Sequence, residues 1–292
     1  MRLYLLPAVL VLTLSCTSLT HASSTSSMCS TGTGANSQQT GATATSASCP
    51  GSSSEPGPLQ FNILVNDQVR SDYGLLGVSA SGSASTNQWD FVHSTGPIAD
   101  GSGTASFNDS FAISSSSSFS GFLVINDVVT GSGTQTCQGS CYFEPGNPNY
   151  NAAQVFLVGC ATACAGTGEQ PVTGGPFATS ISIPISSTLL NGVYTSSGTF
   201  TEGLEAGTYC QMLSVGECDS LENFFDTSRV TGIELVDANG NPLNASISWT
   251  SGTDYNAIPG DTPAATPEPS SLALLGTGLV GLMGAARRRF RS

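Results

Sequence analysis

Apolar residues through the middle of this chain return at every second position, and outside the two termini no stretch sustains a return at every third or fourth. "FNILV" sets Phe61, Ile63 and Val65 on one face of an extended segment. "FNDSFAI" does the same with Phe107, Phe111 and Ile113, and "ISIPI" with Ile181, Ile183 and Ile185. A period of two belongs to a strand with one buried face, because successive side chains of an extended backbone point to opposite sides. Pro184 falls on the other face of its run and has no N–H for a ladder, which predicts an edge strand. "GFLVINDVV" is apolar almost throughout and reads as a central strand. Asn239-Gly240, ahead of the alternating Leu243, Ala245, Ile247 and Trp249, is a hairpin-turn signal. Gly and Ser recur every few residues, as turns between short strands require. Residues 59–257 are therefore expected to form a single all-β domain, an antiparallel β-sandwich of jelly-roll-like type.

Residues 23–58 are nearly all Ser, Thr, Gly, Ala, Asn and Gln. So little apolar surface does not offset chain entropy, and this Ser/Thr/Gly-rich, low-complexity lead segment is expected to be flexible. Cys29 and Cys49 within it would make it a closed loop if they bridge.

The chain has nine cysteines. Cys16 lies in the N-terminal apolar run, where Thr13 stands in place of the Leu that a lipoprotein site would want, and it is expected to leave with that run. The other eight are Cys29, Cys49, Cys137, Cys141, Cys160, Cys164, Cys210 and Cys218, an even set that in an exported protein reads as disulfides. Cys29 with Cys49 and Cys210 with Cys218 are natural local loops. "CQGSC" and "CATAC" look like mates that bridge two neighbouring segments. A zinc site is the competing reading of two C-x3-C pairs, but the spacing is uncommon for zinc and the compartment favours oxidation.

Twenty acidic residues face seven basic ones, all arginine. Between Ser23 and Thr266 stand every acid except Glu268, 19 in all, and only Arg70 and Arg229, a net charge of −17. Such a body offers phosphate no electrostatic footprint, which excludes nucleic-acid binding. Without lysine, Schiff-base chemistry is excluded too. His93 is the one histidine of the body, and no G-x-S-x-G elbow accompanies it. Glu202 with Glu205, and Glu217 with Asp219, Glu222 and Asp226, form acidic groups that read as solvated loop charges rather than a glycosidase pair. Asp237, Asn239 and Asn241 surround Gly240 too early for a calcium loop, so the turn explains them better. No cofactor is expected; the charge is compatible with a structural calcium, for which no ligand set can be assigned. For sugar, the aromatic candidates are Tyr73, Trp89, Tyr150, Tyr209, Trp249 and Tyr255, with Trp249 on the alternating apolar face. No enzymatic activity is expected.

The two ends speak of address. Residues 1–22 hold one charge (Arg2), an apolar stretch from Leu3 to Leu14 and a small-residue site at Thr20-His21-Ala22, the layout of a secretory signal peptide. At the other end a Pro-rich linker, 258–266, leads into Pro267-Glu268-Pro269, then 17 uncharged residues from Ser270 to Ala286, then Arg287, Arg288, Arg289 and Arg291. As a helix the uncharged run would reach about 25 Å, just short of a hydrocarbon core. The arginines would hold its end on the cytoplasmic side.

The tripeptide, the Ser-Ser-Leu-Ala-Leu-Leu-Gly run and the terminal arginines, over residues 267–292, closely resemble the PEP-CTERM sorting signal. The resemblance implies a transmembrane sorting helix and Pro267, Glu268 and Pro269 as the recognition site for an exosortase-like membrane protease or transpeptidase. It also implies transient anchoring in the inner membrane of a Gram-negative bacterium, then release to the cell surface or medium. Proteins of this kind occur where exopolysaccharide and biofilm matrix are made. The expectation is thus an exported, disulfide-stapled structural or adhesive protein of that matrix, with exopolysaccharide as a partner. The alternatives are a non-catalytic carbohydrate-binding module, which predicts an exposed aromatic strip on one sheet face, and, less favoured, an envelope hydrolase.

Overall fold

The computed structural model describes residues 23–55, 61–87, 96–142, 152–172 and 176–256, and the compact body ends at Asn256. The signal peptide, Trp89, His93, Tyr150, the Pro-rich linker and the sorting tail lie outside the described residues.

The strands are β1 (Ser24–Thr31), β2 (Asn36–Gly41), β3 (Thr45–Glu55), β4 (Phe61–Asp72), β5 (Leu75–Thr86), β6 (Ile98–Ser115), β7 (Ser120–Val129), β8 (Ser132–Gln138) and β9 (Cys141–Tyr142). There follow β10 (Ala152–Cys160), β11 (Cys164–Gly166), β12 (Gln170–Val172), β13 (Phe177–Ser186), β14 (Thr188–Leu190), β15 (Val193–Met212), β16 (Gly216–Val236) and β17 (Ser246–Trp249). One sheet runs β11-β10-β15-β6-β1-β2, with β9, β12, β14 and β17 paired along it. The second runs β13-β7-β16-β5-β4-β3, with β8 beside β16. All pairs are antiparallel, and β4, β5 and β16 pack across the interior on β6 and β15. From β6 onward the long strands β6, β7, β10, β13, β15 and β16 alternate between the sheets, the jelly-roll-like feature of the sandwich.

The period-two reading holds for β4, β6 and β13, whereas of Leu243, Ala245, Ile247 and Trp249 only the last two lie in a strand and all four are half-buried. Phe107, Phe111 and Ile113 are buried from β6, and Ile181, Ile183 and Ile185 from β13. Leu76 and Val78 of β5, Leu123 and Ile125 of β7, and Phe200 and Leu204 of β15 are buried too, with Phe107 edge-on to Phe200. Each such side chain contributes roughly 1.5–3 kcal/mol by leaving water. β7 has a neighbour on both sides, and β13 with Pro184 is an edge strand. Pro50 likewise sits in β3, the edge at the far side of the same sheet, where a missing N–H costs no ladder bond.

Two expectations fail. The lead segment is not flexible: β1 pairs with β6 over eight residues, and β3 pairs with β4 over eleven. Backbone hydrogen bonds, buried Thr25 and Ser27 and a disulfide supply the order that apolar content does not. Asn239-Gly240 is a turn, with Gly240 at φ 84°, but not a full hairpin. A single bridge, Val236 to Pro242, follows it, and then β17 crosses to pair with β6 in the other sheet. The two-residue hairpin is at the second Asn-Gly, Asn191-Gly192, where φ values of 51° and 80° match the mirror-image turn that fits twisted strands.

Candidate functional site

The eight cysteines form four bridges: Cys29–Cys49, Cys137–Cys141, Cys160–Cys164 and Cys210–Cys218. The expectation that the two C-x3-C motifs pair with each other is overturned, since each closes on itself. Cys160 and Cys164 are opposed partners of the β10–β11 ladder with Cα atoms 4.0 Å apart. Cys137 and Cys141 flank a turn that Gly139 makes at φ 108°. Three of the four bridges join one sheet to the other: β1 to β3, β8 to β9 and β15 to β16. With all eight sulfurs bridged, none is left as a thiolate for zinc or for nucleophilic attack. Cys210 and Cys218 pack with Met212, Val65, Ala84 and Ala99, and Cys141 Sγ lies 3.8 Å from Met212 Sδ.

Five carboxylic acids point into the sandwich: Asp67, Asp109, Asp127, Glu202 and Glu222, none more than 2 % exposed. The acidic groups expected in loops are thus on strands, and alternation splits them. Glu202 of β15 faces inward while Glu205 is half-exposed; Glu222 of β16 faces inward while Glu217 and Asp219 face outward. Within each group the described members are thus divided between the inner and outer faces of a sheet.

Asp109 is saturated with donors. The hydroxyls of Ser23, Ser251 and Tyr255 donate to it (Tyr255 Oη at 2.9 Å), as do the amides of Ser110 (2.8 Å) and Ser251 (3.1 Å). Tyr255, itself buried and its phenol pushed well up by burial and by the Asp109 charge, stacks on Phe107 and meets Trp249 edge-on at 4.7 Å.

Glu202 and Asp127 lie on opposite sheets with one hydroxyl between them. Ser228 Oγ is 2.7 Å from Glu202 Oε1 and 3.2 Å from Asp127 Oδ2. The other oxygen of each acid, Asp127 Oδ1 and Glu202 Oε2, has no hydrogen-bond partner. Burial pushes both acids up, Glu202 well above the carboxylate range and further raised by Asp127, while Ser228, nearby amides and the Arg229 charge pull Asp127 back. Asp67 packs against Gly101, where a Cβ would lie 2.5 Å from Asp67 Oδ2, and neither of its oxygens has a hydrogen bond of ordinary geometry. Burial raises it to about 7, with the Ser81 backbone pulling against this and the Asp100 charge adding to it. Glu222, folded over Gly133, is raised to about 7 by burial.

Sequence reasoning missed these acids, yet a signal was there. Asp67 stands between Val65 and Val69, Asp109 between Phe107 and Phe111, Asp127 between Ile125 and Val129, and Glu202 between Phe200 and Leu204, each in phase with the buried face.

On the outside, Pro50, Ser52, Leu64, Asn66, Asp219 and Leu221 line an open groove of about 640 Å³ across β3, β4, β5 and β16. No aromatic side chain lines it. Among the described aromatic candidates, Tyr73 and Tyr255 are buried, Trp249 is half-buried against Phe111, Phe200 and Tyr255, and Tyr209 is half-buried beside the exposed Tyr142. Asp237 spends its carboxylate on its own turn, accepting from the amides of Asn239 and Asn241 and from Asn241 Nδ2, contacts that hold it below its usual range. Among the described residues no three His, Cys, Asp or Glu side chains come together as a metal site.

Beyond the body, residues 265–289 match the family model described as the PEP-CTERM protein-sorting motif. The chain carries a PEP-CTERM sorting motif. The match contains Pro267, Glu268 and Pro269 and the first three terminal arginines. A PEP-CTERM motif implies export and membrane-associated sorting toward the cell surface, with an exosortase as the general processing partner. No curated protein and no solved structure matches the chain.

Proposed function

We propose that this protein is a non-catalytic structural or adhesive component of the extracellular matrix, released by exosortase-like processing at Pro267-Glu268-Pro269. The observation that carries the reading is the sorting motif at residues 265–289, attached to a body tied by four disulfides. A body with three bridges between its sheets suits a place where no chaperone or reductant maintains it. Its −17 charge makes long-range attraction to acidic polysaccharide weak, so adhesion would rest on neutral glycan or on protein neighbours. The groove on the β3–β4–β5–β16 face, with two exposed leucines among amide and hydroxyl groups, is the surface available for such contact. No aromatic side chain lines this groove, whereas a carbohydrate-binding module would use an aromatic strip; the exposed Tyr142 and its neighbour Tyr209 belong to the other sheet.

Intact-mass measurement of the protein from medium and from membranes tests this. A released form that starts near Ser23, ends near Pro267 and binds alkylating agent only after reduction supports it. Replacement of Pro267-Glu268-Pro269 by alanines should then leave the arginine tail attached and the protein in membranes. If the unaltered protein itself keeps its tail and never leaves the membrane, the reading is wrong.

A further inference from the structure

The Asp127–Ser228–Glu202 cluster is neither a metal site nor a solvent-facing pair, and it presents a nucleophile, an electrophile and a base in one dry contact. Ser228 lies between two irregularities of β16, where its register shifts against β5 after Phe224 and against β7 after Val230. Such bulges re-aim a side chain. Here the hydroxyl is directed at Glu202 Oε1, 2.7 Å away on the opposite sheet, and at Asp127 Oδ2, 3.2 Å away on the neighbouring strand. The three side chains are at most 1 % exposed. Ser228 has one proton to give and two carboxyl groups in reach, so both contacts are hydrogen bonds only when one of the acids carries a proton as well.

We infer that Ser228 and Glu202 condense into an intramolecular ester that covalently joins β15 to β16, and thus sheet to sheet, with Asp127 as general base and acid. The neutral Glu202 carboxyl is the electrophile. Asp127 takes the Ser228 proton as Oγ attacks Glu202 Cδ, and a tetrahedral adduct forms. The same proton returns to the departing hydroxyl, which leaves as water, and the C–O bond to Ser228 remains. One bond to oxygen forms, one breaks, nothing is oxidised and Asp127 ends as it began. Burial supports these roles: it pushes Glu202 well up, toward its neutral form, whereas hydrogen bonds and the Arg229 charge pull Asp127 back toward ionisation. Condensation of free acid and alcohol is poor in water. Two groups fixed in contact react as if at about 10⁵ M or more, and exclusion of water protects the product.

The test is peptide mapping of the exported, folded protein after full reduction and alkylation. The ester predicts a joined species, one peptide holding Glu202 and one holding Ser228, lighter than their sum by one water. Alkaline hydroxylamine should separate them and leave a hydroxamate at Glu202, whereas the neutral reagent, which cleaves only activated acyl groups, should not. Ser228→Ala should abolish the joined species, and Asp127→Asn should slow its appearance at least tenfold, as loss of a general base does. Recovery of both peptides unlinked and at full mass from the unaltered protein would overturn the inference, whatever the variants do. So would a lost water located within one linear peptide, or a joined species that persists in Ser228→Ala.

Discussion

Asp109 and the Asp127–Glu202 pair are buried in one interior at the same depth, yet they are solvated in opposite ways. Asp109 receives five donors, three from hydroxyls brought in by the first and last described stretches of the body. The pair receives one hydroxyl for two carboxyl groups. The difference lies in the elements that face each acid. Ser23, Ser251 and Tyr255 belong to irregular backbone whose side chains can turn toward a charge. Asp127 and Glu202 stand within ladders, where the Val128 and Arg229 amides bear on Asp127 but none bears on Glu202. Burial therefore raises the acids that only strands surround, while irregular backbone at the two ends of the described body brings hydroxyl and amide donors to Asp109.

Removing the saturated acid should have the largest effect. Asp109→Ala strands three hydroxyls and should cost about 3–5 kcal/mol in chemical denaturation, the scale of breaking a buried charged network. A loss under 1 kcal/mol would show that the donors find water instead. Next is the bridge that holds β1 against β3: Cys29→Ser with Cys49→Ser should cost about 3 kcal/mol, whereas the smaller Cys160–Cys164 loop should cost about 2 kcal/mol. Equal losses would argue against the chain-entropy account.

The starved acids should respond to pH in the opposite sense to most carboxylates. Folded Asp67 keeps its proton up to about 7, whereas the unfolded chain releases it near pH 4. Between those values the folded state binds the extra proton, so this contribution is whole below about pH 4 and is lost as pH rises through about 7. Glu222 adds to the same slope. The melting temperature should therefore fall from pH 5 to pH 8, and Asp67→Asn, which does not ionise, should flatten the fall. A profile that rises over this range would contradict the assignment. Smallest is Ser23→Ala, which deletes one of five donors to Asp109 and should cost about 1.5 kcal/mol, typical of a hydrogen bond to a charge.

Much of this fold was legible because period two is a local property. Phe107, Phe111 and Ile113 needed only each other to declare an inner face, and Pro184 needed only its missing N–H to mark an edge. The lead segment failed the same test because its order is not local: Thr25 and Ser27 are buried by β3 and β4 partners that arrive later in the chain. Cys29–Cys49 and Cys210–Cys218 pair as expected, but the mates of the two C-x3-C motifs were misjudged for a related reason, since a turn too short to notice in sequence set each motif face to face. The buried acids could have been found by extending the alternation through Asp109 or Asp127 instead of treating every carboxylate as a surface charge. Their donors could not, because Ser23 and Tyr255 lie far from Asp109 in sequence. The sorting tail was legible outright, being a string that another protein reads.

Because Ser23 and Tyr255 meet on one carboxylate, the body begins and ends at one point, and that point is on β6. β6 is paired along its length, with β15 on one side and with β1 followed by β17 on the other. Tension that enters at residue 255 is passed to a strand held from both flanks and has to shear ladders rather than unzip an edge. A pull on the body at that residue is therefore borne where its sheet is most broadly held.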